Sequence, residues 1–182
     1  MTDSMTMKHQ FPLFVFPLLG SLLFLSCSSD DELAYPDDFG RSKTAWSQFK
    51  DSSHDSYLYV VSGGSVFSTY GWKTTITVSK GTVIRREFAY VPPPEHIPAD
   101  QVEWTENKDE INSHEHSNAA DALTLAEIYI KAEKEWLIDR SGATQYFEAE
   151  NNGLISICGY VEEGCMDDCF IGIRIESIEA LH

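Results

Sequence analysis

The chain reads as an α+β domain: a mainly antiparallel sheet of about six strands with two helices packed on one face. Three observations carry that reading. Short runs of β-branched and aromatic residues recur along the chain, two stretches space their apolar residues three and four apart, and hairpin turn signals join neighbouring runs.

The first element is a targeting segment. Phe11 to Leu25 (FPLFVFPLLGSLLFL) carries no charge, follows Lys8 and His9, and precedes Ser26, Cys27 and the acidic run Asp30-Asp31-Glu32. A basic start, a short apolar middle and a small residue before the cut is the plan of a signal peptide over 1–26. A spanning helix needs about 20 apolar residues, and this run is shorter and holds Pro12 and Pro17. Met1, Met5 and Met7 are all candidate starts, and Met7 would place Lys8 directly behind the initiator.

The tether comes next. Residues 27–40 are rich in Ser, Asp and Pro and read as a flexible stalk. The domain then occupies 41–182. Arg41 to Lys50 sets Ala45, Trp46 and Phe49 at helical spacing. Ser56–Ser62, Lys73–Ser79 and Thr82–Tyr90 read as strands, the last two forming a hairpin at Lys80-Gly81. From Val91 to Ala120 the pattern dissolves into a proline-rich and then polar loop. Thr124 with Glu127 is a capping box, and behind it Leu125, Ile128, Ala132 and Trp136, with Tyr129 alongside, form the apolar stripe of a helix. Thr144–Ala149, Leu154–Val161 and Phe170–Ile178 complete the strands, with a tight turn at Asn151-Asn152-Gly153. The order α-β-β-β, loop, α-β-β-β admits an internal duplication.

Composition limits the function. Of 182 residues 42% are hydrophobic, enough for one buried core, and 13 Lys+Arg against 29 Asp+Glu give a net charge of -16. Phosphate backbones demand the opposite surplus, so nucleic acid is excluded as a partner.

Leu23-Phe24-Leu25-Ser26-Cys27 resembles the lipobox of bacterial lipoproteins, in which the cysteine thiol receives a diacylglycerol and the peptide is cut just before it. Ser26 and Cys27 fit that pattern, whereas Phe24 stands where Leu is commonest and Leu25 where a smaller residue is usual. Ser28-Ser29-Asp30-Asp31-Glu32 is similar to the export signal of surface lipoproteins of the Bacteroidota. The resemblance covers about the first thirty residues. It implies an acyl lipid on Cys27 as the one covalent group, the bilayer as a partner, and the outer membrane, with surface exposure, as the location. Two or three acyl chains hold a soluble domain on a membrane at about 0.8 kcal/mol per buried methylene.

The remaining cysteines, Cys158, Cys165 and Cys169, lie within one short stretch, and in an exported chain such proximity points to a disulfide. Strand parity chooses the pair. With Ile155, Ile157 and Val161 inward on one strand and Ile171, Ile173 and Ile175 inward on the next, Cys158 points outward, which leaves Cys165 with Cys169 across an acidic turn. The spacing C-x6-C-x3-C is not a usual zinc pattern.

Other candidates are binding residues. Phe67, Tyr70 and Trp72 in a glycine-punctuated loop, with Trp104 on the long loop, offer an aromatic platform for sugar rings or a partner protein. His96, His114 and His116 offer imidazoles for a transition metal. Glu162, Glu163, Asp167 and Asp168 ring one hairpin end without the alternating ligands of a calcium loop. Ser47-Gln48-Phe49-Lys50 matches S-x-x-K, but its companion motifs are absent, as are H-E-x-x-H, G-x-S-x-G and phosphate-cradling glycine loops. The expectation is a membrane-anchored envelope lipoprotein with a non-catalytic domain that binds a glycan or a partner. The alternative is an acidic inhibitor of a cationic envelope or host hydrolase, steered to its target by charge. An unrecognised hydrolase stands third.

Overall fold

The computed structural model describes residues 32–65, 67–114, 118–167 and 169–181. The signal segment, Cys27, most of the tether, His116 and Asp168 lie outside the described residues. Among those described, no helix is long and apolar enough to cross a membrane.

Helix α1 spans Pro36–Ser52, five residues longer at its start than the periodicity from Arg41 suggests. Pro36 opens it, and Asp37 and Asp38 sit in its first turn, where the helix dipole favours acids. The same Pro and Asp that read as stalk are therefore a helix start. Phe39 is its first inward residue, edge-on to Phe147 at 5.8 Å and against Tyr129 at 6.0 Å. The chain before it is also engaged, because Ala34 N–H donates to Leu137 O (2.8 Å) and Asp139 N–H donates to Glu32 O (2.7 Å). Residues 32–40 thus belong to the packed fold and are no tether.

Strands β1 (Tyr57–Gly64), β2 (Gly71–Ser79) and β3 (Thr82–Val91) form an antiparallel meander, and β4 (Glu103–Asn107) adds to its outer edge behind a single turn of helix, α2 (Ala99–Val102). Helix α3 (Leu125–Lys131) continues as a π-helical turn, Ala132–Trp136. Strands β5 (Ala143–Glu148), β6 (Ile157–Glu162) and β7 (Ile171–Ala180) make a second meander. The two join through β1 and β7 into one seven-stranded antiparallel sheet, ordered β4-β3-β2-β1-β7-β6-β5. The α+β class and the antiparallel sheet stand as expected; among the described residues the strands number seven, against about six.

The seventh strand is β4, inside the stretch that reads as aperiodic. Its alternation is real, but the inward positions are Trp104 and Glu106 rather than two aliphatics, so hydropathy hides it.

One face of the sheet is covered. Tyr57, Tyr59 and Val61 on β1 and Ile76 and Val78 on β2 meet Trp46 of α1 and Leu125, Ile128 and Tyr129 of α3 in a single core. Core burial at about 25 cal/mol per Å² is the main driving force. Two tyrosines also hold polar ends together. Tyr129 Oη lies 2.7 Å from Ser42 Oγ between the helices, and Tyr57 Oη accepts from Leu125 N–H at 2.8 Å. The latter amide is one of the donors that a helix start leaves without an intrahelical partner. The capping box closes as the sequence suggests: Glu127 N–H donates to Thr124 Oγ1, and Thr124 N–H to Glu127. The opposite face of the sheet is polar, with Lys73 paired to Glu176 at 2.7 Å.

The cysteines divide as proposed, Cys165 with Cys169 (Cα–Cα 6.2 Å) and Cys158 unpaired, but the parity argument for Cys158 fails. Cys158 is fully buried, on the same face as its cross-strand neighbour Ile173. An irregular turn around Leu154 to Ser156 places Leu154, Ile155 and Ser156 all in the interior and breaks the alternation before β6 begins at Ile157. Ile171, expected inward, is exposed.

Two outcomes follow. Tyr57→Phe should lower the unfolding free energy by about 2 kcal/mol, because the Leu125 N–H is left buried and unpartnered; chemical denaturation measures it. Burial pushes the Cys158 thiol up to about 12, so at pH 8 it should react with a thiol reagent on the order of a thousandfold more slowly in the native than in the denatured chain.

Candidate functional site

Helices cover the β5, β6, β7 and β1 part of the inner face together with Ile76 and Val78 of β2, and the long loop covers the rest. What holds that loop down is a buried carboxylate. Glu106 on β4 is fully buried and faces Arg86 on β3, itself 3% exposed, with Nη1 donating to Oε2 at 3.2 Å. The loop returns over them and donates to the same carboxylate: Asn112 N–H (2.9 Å), Ser113 Oγ–H (3.1 Å), His114 N–H (2.7 Å) and His114 Nδ1 (3.0 Å). An ionised carboxylate only accepts, so His114 carries its proton on Nδ1. Burial works against the charge, but the His114 and Asn112 amides, the His114 ring and the Ser113 hydroxyl together outweigh it and hold the Glu106 carboxyl below its ordinary value. The Arg86 guanidinium also lies 5.1 Å from the Trp104 ring, while its buried Nε has no hydrogen-bond partner.

Beyond His114 the loop crosses the sheet diagonally. Asn118 Nδ2 donates to Tyr90 Oη on β3 (3.0 Å), Ala120 N–H to Thr74 Oγ1 on β2 (3.0 Å), and Tyr59 Oη on β1 to Leu123 O (2.5 Å). The stretch that reads as irregular is thus the lid of half the core. It leaves an opening on either side.

The first opening, about 750 Å³, is walled by Phe88, Tyr90 and Trp104 from the sheet, His96 to Gln101 from the proline-rich loop, and Ser113, His114 and Asn118 from the lid. Its rings are in mutual contact. Phe88 stacks with Trp104 (5.3 Å) and meets Tyr90 edge-on (4.9 Å), and the His114 ring lies parallel on Trp104 at 4.3 Å. Tyr70 stands at its edge, 5.2 Å from Tyr90 and 5.8 Å from His96. Asp100, Gln101 and Asn118 supply hydrogen-bonding groups among these rings.

The second opening, about 640 Å³, lies where the two meanders part. β1 and β7 shift register at Val60/Val61 and their pairing ends at Val61 with Ile175, after which β1 follows β2 and β7 follows β6. Trp72, Trp136, Arg174 and the Cys165–Cys169 pair line the gap. Glycine is required at two of its edges. A Cβ on Gly63 would collide with the Trp72 indole, and Gly172 (φ +152) sits where a Cβ would strike the Cys158 carbonyl.

The residues singled out from sequence are therefore distributed. Trp104, His96 and His114 share the first opening with Tyr70 beside it, Trp72 and the cystine line the second, and Phe67 is 82% exposed and lines neither. One face of Trp104 is already covered by His114, so the imidazole is the ring presented outward. Among the described residues no cluster of three or more His, Cys, Asp or Glu is arranged to hold a metal. Phe88, Tyr90, Arg86 and Glu106 went unnoticed in the sequence. The signal was there in strand parity, since Arg86, Phe88 and Tyr90 share one face, and a charge on an apolar face implies a buried partner. Comparison with protein-family models, with curated proteins and with solved structures yields no match.

Glu106→Gln should destabilise the domain by about 3 kcal/mol, because Arg86 is left charged and unpaired. The difference between wild type and Glu106→Gln should hold above about pH 5 and shrink as pH falls through the depressed value of Glu106, since a lowered carboxyl contributes stability only while ionised. Thermal melts of both proteins across that range measure it.

Proposed function

We propose that this chain is a cell-envelope lipoprotein, acylated at Cys27, whose domain binds the sugar rings of a glycan in the cleft between the long loop and β3–β4. One observation carries the ligand class: a continuous tract of contacting rings, Tyr90, Phe88, Trp104 and His114, walls a cleft that also holds Asp100, Gln101 and Asn118. Aromatic faces attract the C–H face of a pyranose, and carboxylate and amide groups at the rim match its hydroxyls. The sheet and lid walls of the cleft are pre-formed, because both are tied to the Glu106 carboxylate. Binding then costs little ordering of the protein. The lipoprotein half of the reading is supported by the lipobox-like run, the serine and acid run after it, and the exposed polar outer face of the domain.

The test is a titration of the full chain with short oligosaccharides of glucose and of N-acetylglucosamine, followed by tryptophan fluorescence and by chemical shifts of the His114 ring. His114→Ala should weaken binding by about tenfold, the loss of one stacked ring. Trp72→Ala, in the other opening, should leave it unchanged. Equal loss in both variants, or no binding by either sugar series, would remove the glycan reading.

A further inference from the structure

The strand register places three things at one end of the sheet. β1 ends at Gly64 opposite Gly71, so the β1–β2 loop with Phe67 lies there. β7 runs antiparallel to β1, Tyr57 facing Ala180, so its start at Ile171 and the β6–β7 loop with Met166 lie at the same end. β5 begins there too, with Ala143 facing Glu162 and Glu163 N–H donating to Gly142 O. The described chain enters beside that start, where Leu33 bridges Ile138 and Asp139 N–H donates to Glu32 O.

Exposed apolar side chains gather at this end. Phe67 is 82% and Met166 97% exposed, and Val91 and Ile171 are also open to solvent. Among the described residues, the loops at the opposite end, after α1, between β2 and β3, and after β4, expose no large apolar side chain. The two tips sit on hairpins that flank the gap between the meanders, β1–β2 on one side and β6–β7 on the other. Between Cys27 and Glu32 the chain can span at most about 18 Å when fully extended. The polar layer of one leaflet is roughly 5–8 Å deep, so the leash holds the start of the domain within about 10–13 Å of that layer's outer edge.

We infer that Phe67 and Met166 are a second membrane contact: their side chains enter the headgroup layer of the bilayer that holds the acylated Cys27, and orient the domain with this end toward the lipid. The inference rests on the lipoprotein reading. A short leash keeps these tips at the surface, so their effective concentration there is high and two side chains are enough to set orientation. Glu162, Glu163 and Asp167 flank Met166, so the surface that fits is zwitterionic phospholipid rather than an anionic one. In this orientation the opening between the meanders faces the bilayer.

The test uses the full acylated chain in phosphatidylethanolamine and phosphatidylcholine vesicles, with a nitrobenzoxadiazole label on Phe67→Cys and, as control, on Lys108→Cys at the far end. Cys158 is buried and Cys165 and Cys169 are paired, so the label goes to the new thiol. At position 67 the label should shift blue, brighten severalfold and be quenched by headgroup spin labels, with Met166→Ser reducing each effect; at 108 it should stay silent. The mass of the Cys27 peptide is read from the same sample. An acylated peptide with a silent label at 67 overturns the membrane contact and leaves the anchor standing, whereas an unacylated Cys27 overturns both. A label at 67 that ignores vesicles but responds to a cationic hydrolase overturns the contact in favour of the inhibitor reading.

Discussion

The Glu106 carboxylate is the constraint on which the cleft half of this domain depends. A charge removed from water is tolerated only when its lone pairs are filled, and here Arg86, two backbone amides, a hydroxyl and an imidazole fill them. Those donors come from β3 and from a loop whose own backbone bonds make only short turns, Glu110 N–H to Asn107 O and Ser113 N–H to Glu110 O. One buried anion thus performs for residues 112–114 what a helix or ladder performs elsewhere. The same bonds orient His114 on Trp104 and so shape the wall of the cleft. Stability and the candidate site are coupled through a single side chain.

A second constraint governs the other opening. Two three-strand meanders joined edge to edge by β1 and β7 part company at the register shift after Val60, and the gap between them is kept by glycine. Gly63 leaves room for the Trp72 indole and Gly172 lets β7 approach the Cys158 carbonyl. The disulfide lies across the mouth of this gap, where a short acidic loop has few apolar contacts to order it. In such a segment a covalent link supplies what packing does not. The loop's tip, Met166, projects into solvent, and with Phe67 it makes this end of the molecule unlike the other.

Much of the fold was legible because local physics and tertiary structure agreed. The capping box at Thr124, the stripe from Leu125 to Trp136, the Lys80-Gly81 hairpin and six of the seven described strands were visible as period and punctuation, since their inward residues are mostly apolar. Where the inward residue is charged, the pattern disappears. Glu106 made β4 read as loop, and Arg86 hid half of the ion pair inside an otherwise apolar strand face. Pro36-Asp37-Asp38 read as a stalk because composition alone does not distinguish a flexible acidic segment from a helix start. That distinction depends on Phe39 finding Phe147 and Tyr129. The outward reading of Cys158 failed for the converse reason, as one turn at Leu154 to Ser156 shifts the phase of everything after it.

Residue chemistry settled what needs no partner distant in sequence: the α+β class, the acidic composition, the pairing of Cys165 with Cys169 four residues apart, and the segments from which the rings come. Which rings meet was decided only by the three-dimensional arrangement. Trp72 on β2 and Trp104 on β4 have only β3 between them yet serve different openings, because the lid passes between them on bonds to Tyr90, Thr74 and Tyr59. His114 reaches Trp104 because Glu106, eight residues earlier, is inaccessible to water and must be hydrogen-bonded. Contacts between residues far apart in the chain depend on which groups folding removes from solvent, and that is a property of the packed sheet rather than of any local run.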